Sequence, residues 1–177
     1  MVGTLDWAPA SAHPELVAPP VAAALAKLGA AADGVRVAPI DPGLADTAAF
    51  CEAYLVTLDV SANCVVVAAK RGQARRLAAA MILATTRADV NGLVRRHLDA
   101  KKASFAPMDV AVAETGMEYG GIGPIGLPDD WPILVDRAVS TTDEVVIGSG
   151  IRGSKLLVPG ALLASLPGAD VLDGLGT

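Results

Sequence analysis

Glycine dominates the stretches of this chain that could do chemistry. Gly116, Gly120, Gly121, Gly123 and Gly126 fall within eleven residues, interrupted by Ile122 and Pro124. A second cluster, Gly148, Gly150 and Gly153, follows the apolar run Val145–Ile147 and contains Ser149. Glycine turns with positive φ and lets main chain approach a ligand closely, so peptide N–H groups can aim at one point. Such groups hold a phosphate or a developing oxyanion. Arg152 and Lys155 lie in or beside the second cluster and would add fixed cations to a backbone cradle. Asp136, at the end of another apolar run, could orient one of them or a ligand amine, and Glu118 beside the first cluster could serve as a base. Each also has a plain reading, as a tight loop, a strand-end carboxylate or a solvated side chain.

Other chemistries find less support. The two histidines, His13 and His97, and the two cysteines, Cys51 and Cys64, show no metal-ligand spacing. No metal and no cofactor are therefore expected. His97 falls on the apolar side of a predicted helix, which suits a partly buried core residue better than a triad base. Both cysteines read as packing thiols. Neither a Walker loop nor a dinucleotide fingerprint is present.

The elements that must carry the glycine loops follow from local signals. Residues 1–17, with Gly3, Pro9 and Pro14, read as a flexible tail, and 18–177 as one domain. Pro19 and Pro20 open a helix that Gly29 closes. Val35–Ile40 is a short strand, and Asp46 caps a second helix through Tyr54. Asn63–Ala69 and Leu77–Thr85, joined by a turn at Gly72, form an antiparallel hairpin. Asp89 caps a helix through His97. Ala103–Phe105 is a short strand, and Pro107 and Gly116 bound another helix. Strands at Leu134–Asp136, Glu144–Ile147, Lys155–Val158 and Ala169–Leu172 complete the chain, with a short helix at Leu162–Leu166. Recurring hairpins with few crossover helices give an α+β domain with a mixed, barrel-like β-sheet and surrounding helices.

The 177 residues are 53% hydrophobic and 19% charged, which excludes disorder as the main state. The longest apolar stretch, Leu77–Ala84, is too short for a membrane span, and no secretory signal opens the chain. A cytoplasmic location is the expectation. The net charge of −5 conceals an asymmetry: nine Lys and Arg but only two Asp lie between Lys70 and Lys102. Arg71, Arg75, Arg76, Arg95, Arg96, Lys101 and Lys102 are thus candidates for contact with a nucleic-acid backbone, or else an ordinary solvated face.

Together these pieces resemble the YbaK/EbsC family, which includes the editing domain of bacterial prolyl-tRNA synthetases and its free-standing relatives. The resemblance rests on Gly116 with Gly120-Gly121-Ile122-Gly123-Pro124, the strand ending in Asp136, and the turn Ser149-Gly150-Ile151-Arg152-Gly153, and spans roughly residues 18–172. It implies hydrolysis of the ester of a mischarged aminoacyl-tRNA, with aminoacyl-tRNA as the partner. It further implies that water attacks, assisted by backbone groups of the glycine loop and the substrate's own ribose hydroxyl. On that basis Asn63, Gly120, Gly121 and Ser149 are expected at the catalytic centre. Ile122, Gly123, Pro124, Asp136, Gly148, Gly150, Arg152, Gly153 and Lys155 are expected to bind substrate. One position departs from the pattern. Asn63 stands where the family carries a lysine, and an amide cannot replace a cation at equal strength. Lys155 or Arg152 could supply the charge instead. The alternatives are a catalytically weakened binding homologue of the same fold and a structural partner that self-associates.

Overall fold

The computed structural model describes residues 2–177 and contains nine strands and six helices. The strands are β1 (Ala8–Pro9), β2 (Arg36–Pro39), β3 (Ala62–Arg71), β4 (Ala74–Leu83), β5 (Lys102–Phe105), β6 (Ile133–Asp136), β7 (Glu144–Gly148), β8 (Ser154–Pro159) and β9 (Ala169–Leu172). The helices are α1 (Pro19–Leu28), α2 (Thr47–Tyr54), α3 (Arg95–His97), α4 (Met108–Thr115), α5 (Arg137–Ser140) and α6 (Gly160–Ala164). One four-stranded sheet runs β1-β2-β8-β7 and is antiparallel throughout. A five-stranded sheet runs β5-β3-β4-β6-β9, with its β4-β6 and β6-β9 pairs parallel. The architecture is α+β in a single domain. A parallel bridge between Ser61 and Val146 joins the sheets edge to edge, without closing a barrel.

Local chemistry explains most boundaries. Pro19 and Pro20 occupy the first turn of α1, where a missing N–H costs nothing, and Gly29 ends it at φ +54°. The Asp46 carboxylate accepts the Ala48 N–H at 3.1 Å and so starts α2. Val, Ala and Ile fill the β3–β4 hairpin, which turns at Gly72 with φ +60°. Phe50 of α2 is fully buried against the antiparallel sheet, among Val146 and Leu157. The opposite face of that sheet packs Val145, Ile147, Leu156 and Val158 into the main core.

Two expectations change. The stretch read as a flexible tail is packed: Leu5, Ala10 and Val17 are buried, and Ala8–Pro9 pairs with β2. Its prolines and glycine resemble a linker, but its scattered apolar residues find a surface that a local reading cannot see. His97 is exposed and meets Asp170 Oδ2 at 3.1 Å. Residues Val90–Val94 form a π turn rather than an α turn, which shifts the angular register and rotates His97 off the apolar face.

The hairpin edge sets up the site. Along β3, β5 covers Val67–Lys70 and β7 touches only at Ser61. The stretch between is an uncovered edge. Ser61 O accepts from Ala84 N toward β4, while Val66 O accepts from Ala106 N on the other side. Strand alternation therefore points the peptide groups of Cys64 away from β4, into the gap between β7 and β5.

Candidate functional site

That gap is the wall of a cavity of about 410 Å³. β3 contributes Asn63, Cys64, Val65 and Val66, the end of β7 contributes Gly148, and the loop after α4 contributes Gly120 and Ile122. Asp46 and Thr47 at the start of α2 lie on another side, with Lys155 of β8. Asn63 and both glycine clusters thus face one space, although Asn63 and Gly148 are 85 residues apart in sequence.

Two polar side chains give the cavity its chemistry. Asn63 Oδ1 accepts the Thr47 hydroxyl at 2.7 Å, which leaves its NH2 as the end available to a ligand. Lys155 is only 7% exposed. Its Nζ donates to Ala45 O at 2.9 Å and sits 5.1 Å from the centre of the Phe50 ring. No carboxylate forms a salt bridge with it among the described residues. Burial pulls its pKa below the ordinary lysine value, opposed by Cys51 and Asp46 nearby. Burial also raises both thiols, Cys64 to about 12, so each remains neutral and un-nucleophilic at pH 7.

The two glycine clusters stack main chain on main chain. Gly150 N donates to Gly121 O at 2.7 Å, and Glu118 N donates to Gly150 O at 2.9 Å. A Cβ on Gly121 would lie 2.6 Å from the Ile151 carbonyl, and one on Gly148 would lie 2.6 Å from Ile122 O. A Cβ on Gly123 would strike Gly148 O. These glycines are required by the apposition of two loops. The Gly150 N–H crosses between the loops, whereas the Gly121 N–H closes a turn within its own loop on Glu118 O at 2.9 Å. Among the described residues no hydrogen bond engages the N–H of Gly120 or Ile122, and both line the cavity. Gly153 has room for a methyl group, its nearest neighbour being Pro42 Cγ at 3.9 Å.

Several expected site residues stand elsewhere. Ser149 is fully buried outside the cavity, its hydroxyl exchanging hydrogen bonds with Ser154 Oγ at 2.6 Å and Ser154 O at 3.1 Å. The motif placed it beside the loop, but the side chain turns inward to brace it. Pro124 lines a separate apolar groove against α1. Arg152 is tethered by its side chain to Tyr119 O at 3.2 Å and Pro42 O at 2.9 Å, and its N–H donates to Glu118 Oε2 at 2.7 Å, which engages the carboxylate considered as a base. Asp136 lies off the cavity altogether. It caps α5 through Ala138 N at 2.8 Å and also accepts from Gly176 N, tying the C-terminal segment to β6. Asp136→Ala should therefore cost about 1–3 kcal/mol of stability, read by denaturant unfolding, because two donors lose their acceptor.

The basic segment divides. Cross-strand register aligns Lys102, Lys70 and Arg75 on one face of the sheet. Arg76, one residue on, falls on the other face. Arg71 is held by Asp99, Lys101 N donates to Lys70 O, and Arg95 and Arg96 sit on α3. Lys70 is seven β3 residues from Asn63, roughly 23 Å, so it does not reach the cavity. Thr47, Phe105, Met108 and Tyr119 also line the cavity, a placement that local sequence signals do not carry because it depends on which segments pair.

Among the described residues, no three His, Cys, Asp or Glu side chains converge as a metal-holding group, and no helix is long and apolar enough to cross a membrane. A family model described as the aminoacyl-tRNA editing domain matches residues 41–166. No curated protein sequence matches the chain. Solved structures that share the fold include these three. A candidate trans-editing enzyme for prolyl-tRNA synthetase is 19% identical over 89% of this chain and 97% of its own, with a TM-score of 0.73. A hypothetical protein, APE2540, is 21% identical over 86% and 97%, also with a TM-score of 0.73. A scaffold protein from computational epitope grafting is 20% identical over 88% and 95%, with a TM-score of 0.74.

Proposed function

Because the chain belongs to the aminoacyl-tRNA editing domain family, we propose that it hydrolyses the ester of a mischarged aminoacyl-tRNA within the 410 Å³ cavity. The observation that carries this reading is the convergence of Lys155, the Asn63 amide and the Gly120–Ile122 loop on one space. Water adds to the ester carbonyl and the carbon becomes tetrahedral. The oxyanion is met by the Lys155 ammonium and by the N–H groups of Gly120 and Ile122, fixed before the substrate arrives. The Asn63 NH2 orients the aminoacyl group. Collapse breaks the bond to the ribose oxygen, which takes up the proton lost by water. Free amino acid and intact tRNA leave. No covalent enzyme intermediate forms, in keeping with neutral thiols and a buried Ser149.

The cation is the central point. Asn63 carries no charge where the resembling family has lysine, and Lys155 brings one into the same cavity from β8. A second reading, binding without turnover, draws on that same uncharged Asn63. Incubation with a panel of mischarged tRNAs separates the two. The deacylase reading expects hydrolysis above the buffer rate for at least one of them, and no such substrate would overturn it. If the wild type is silent and Asn63→Lys gains turnover, the binding reading replaces it.

A further inference from the structure

The cavity is rimmed by apolar side chains that water should disfavour. Of the five large hydrophobic residues exposed among the described residues, three line this cavity: Phe105 at 65%, Tyr119 at 55% and Met108 at 55%. They come from different elements. Phe105 ends β5, Met108 begins α4, and Tyr119 stands in the loop beside Gly120. Exposed apolar residues scattered singly need no explanation, but a cluster around an opening marks a binding surface. None of them is used by the hydrolytic step.

Building on the deacylase reading, we propose that Phe105, Tyr119 and Met108 form a stacking platform for the terminal nucleobase of the acceptor strand. The reason is covalent reach. An aminoacyl ester is attached to the last ribose, so the base of that nucleoside lies one sugar away from the reacting carbonyl. With the ester at the Lys155 end of the cavity, the base comes to its mouth, where the aromatic faces stand. Base–aromatic stacking tolerates any base and needs no hydrogen-bond partners, which suits three exposed apolar side chains brought to one opening by separate elements. A cation also stands there, next to the Glu118 carboxylate that accepts from Arg152 N. The Arg152 guanidinium packs against Gly120 and donates to Tyr119 O, beside the platform, where the phosphate preceding the terminal nucleoside would pass.

The test is an RNA hairpin with a single-stranded CCA end carrying 2-aminopurine in place of the terminal adenine. Stacking quenches its fluorescence, so the readout does not require turnover. Wild type should quench it, whereas Phe105→Ala and Tyr119→Ala should lose the quench and bind about fivefold or more weakly. Phe105→Tyr and Tyr119→Phe should restore both. Both positions are exposed, so folding is not at stake. A wild type that does not quench, alanine variants that quench normally, or an equal loss of affinity for a hairpin lacking the terminal nucleotide would overturn the platform. Quenching by a wild type that deacylates nothing keeps the platform and removes the deacylase. Deacylation without quenching does the reverse.

Discussion

Lys155→Met is expected to lower single-turnover deacylation by about a hundredfold or more while leaving the protein as stable as wild type or slightly more so. The two effects separate because the lysine is costly to the fold. Its ammonium is buried with one carbonyl and one aromatic face as its compensation, and no salt bridge among the described residues. Methionine keeps much of the stem volume and removes the desolvated charge, so chemical denaturation should show no loss. In the proposed reaction the same charge meets the oxyanion, and methionine would offer nothing there. A variant that unfolds, or one that hydrolyses its substrate at the wild-type rate, would refute this role. The pH dependence carries a matching signature. Burial lowers the Lys155 pKa from the ordinary 10.5, so the ammonium is lost on the alkaline side before an exposed lysine would lose it. Activity, corrected for spontaneous ester hydrolysis, should fall as pH rises through that lowered value. Stability moves the other way across the same window. Between the lowered value and 10.5 the unfolded chain holds a proton that the folded one has released, so folding gains as pH rises. Lys155→Met should lack both trends.

Gly148→Ala should have the second large effect, a loss of activity of tenfold or more together with about 1–3 kcal/mol of stability. The added methyl group would lie 2.6 Å from Ile122 O and would also strike Gly121 O. Both obstacles are main chain, which cannot swing aside as a side chain can. The loops must part, and the Gly120 and Ile122 N–H groups move with them. An outward shift of about 1 Å is enough to misalign donors from a reacting carbonyl. Gly121→Ala should behave similarly, because its methyl group would meet the Ile151 carbonyl. A crystal structure of Gly148→Ala with undisturbed loops, or wild-type kinetics, would show that the apposition is not what holds the site.

Much of the site's scaffold was legible because its causes are local. Asp46 caps α2, Gly116 ends α4 at φ +66°, and the β3–β4 hairpin turns where Gly72 permits it. Each of these needs only residues a few positions apart. The glycine clusters were equally legible as places where main chain comes close to something. Their partner was not. The sequence pattern suggests a ligand, and the structure supplies a second loop, so close approach is satisfied within the chain at Gly121, Gly123 and Gly148.

Side-chain direction was the larger gap. Ser149 and Asp136 carry the family resemblance as Gly120 does, yet one braces a turn and the other caps a helix. The sequence by itself determined the elements, their order and the family likeness, because backbone preference and hydrophobic period act over short spans. Only the tertiary structure decided that β7 and β5 leave the edge of β3 open, and that the start of α2 meets that edge together with Lys155. Those are agreements between segments far apart in sequence, set by which apolar faces can be buried together, and no local window contains them.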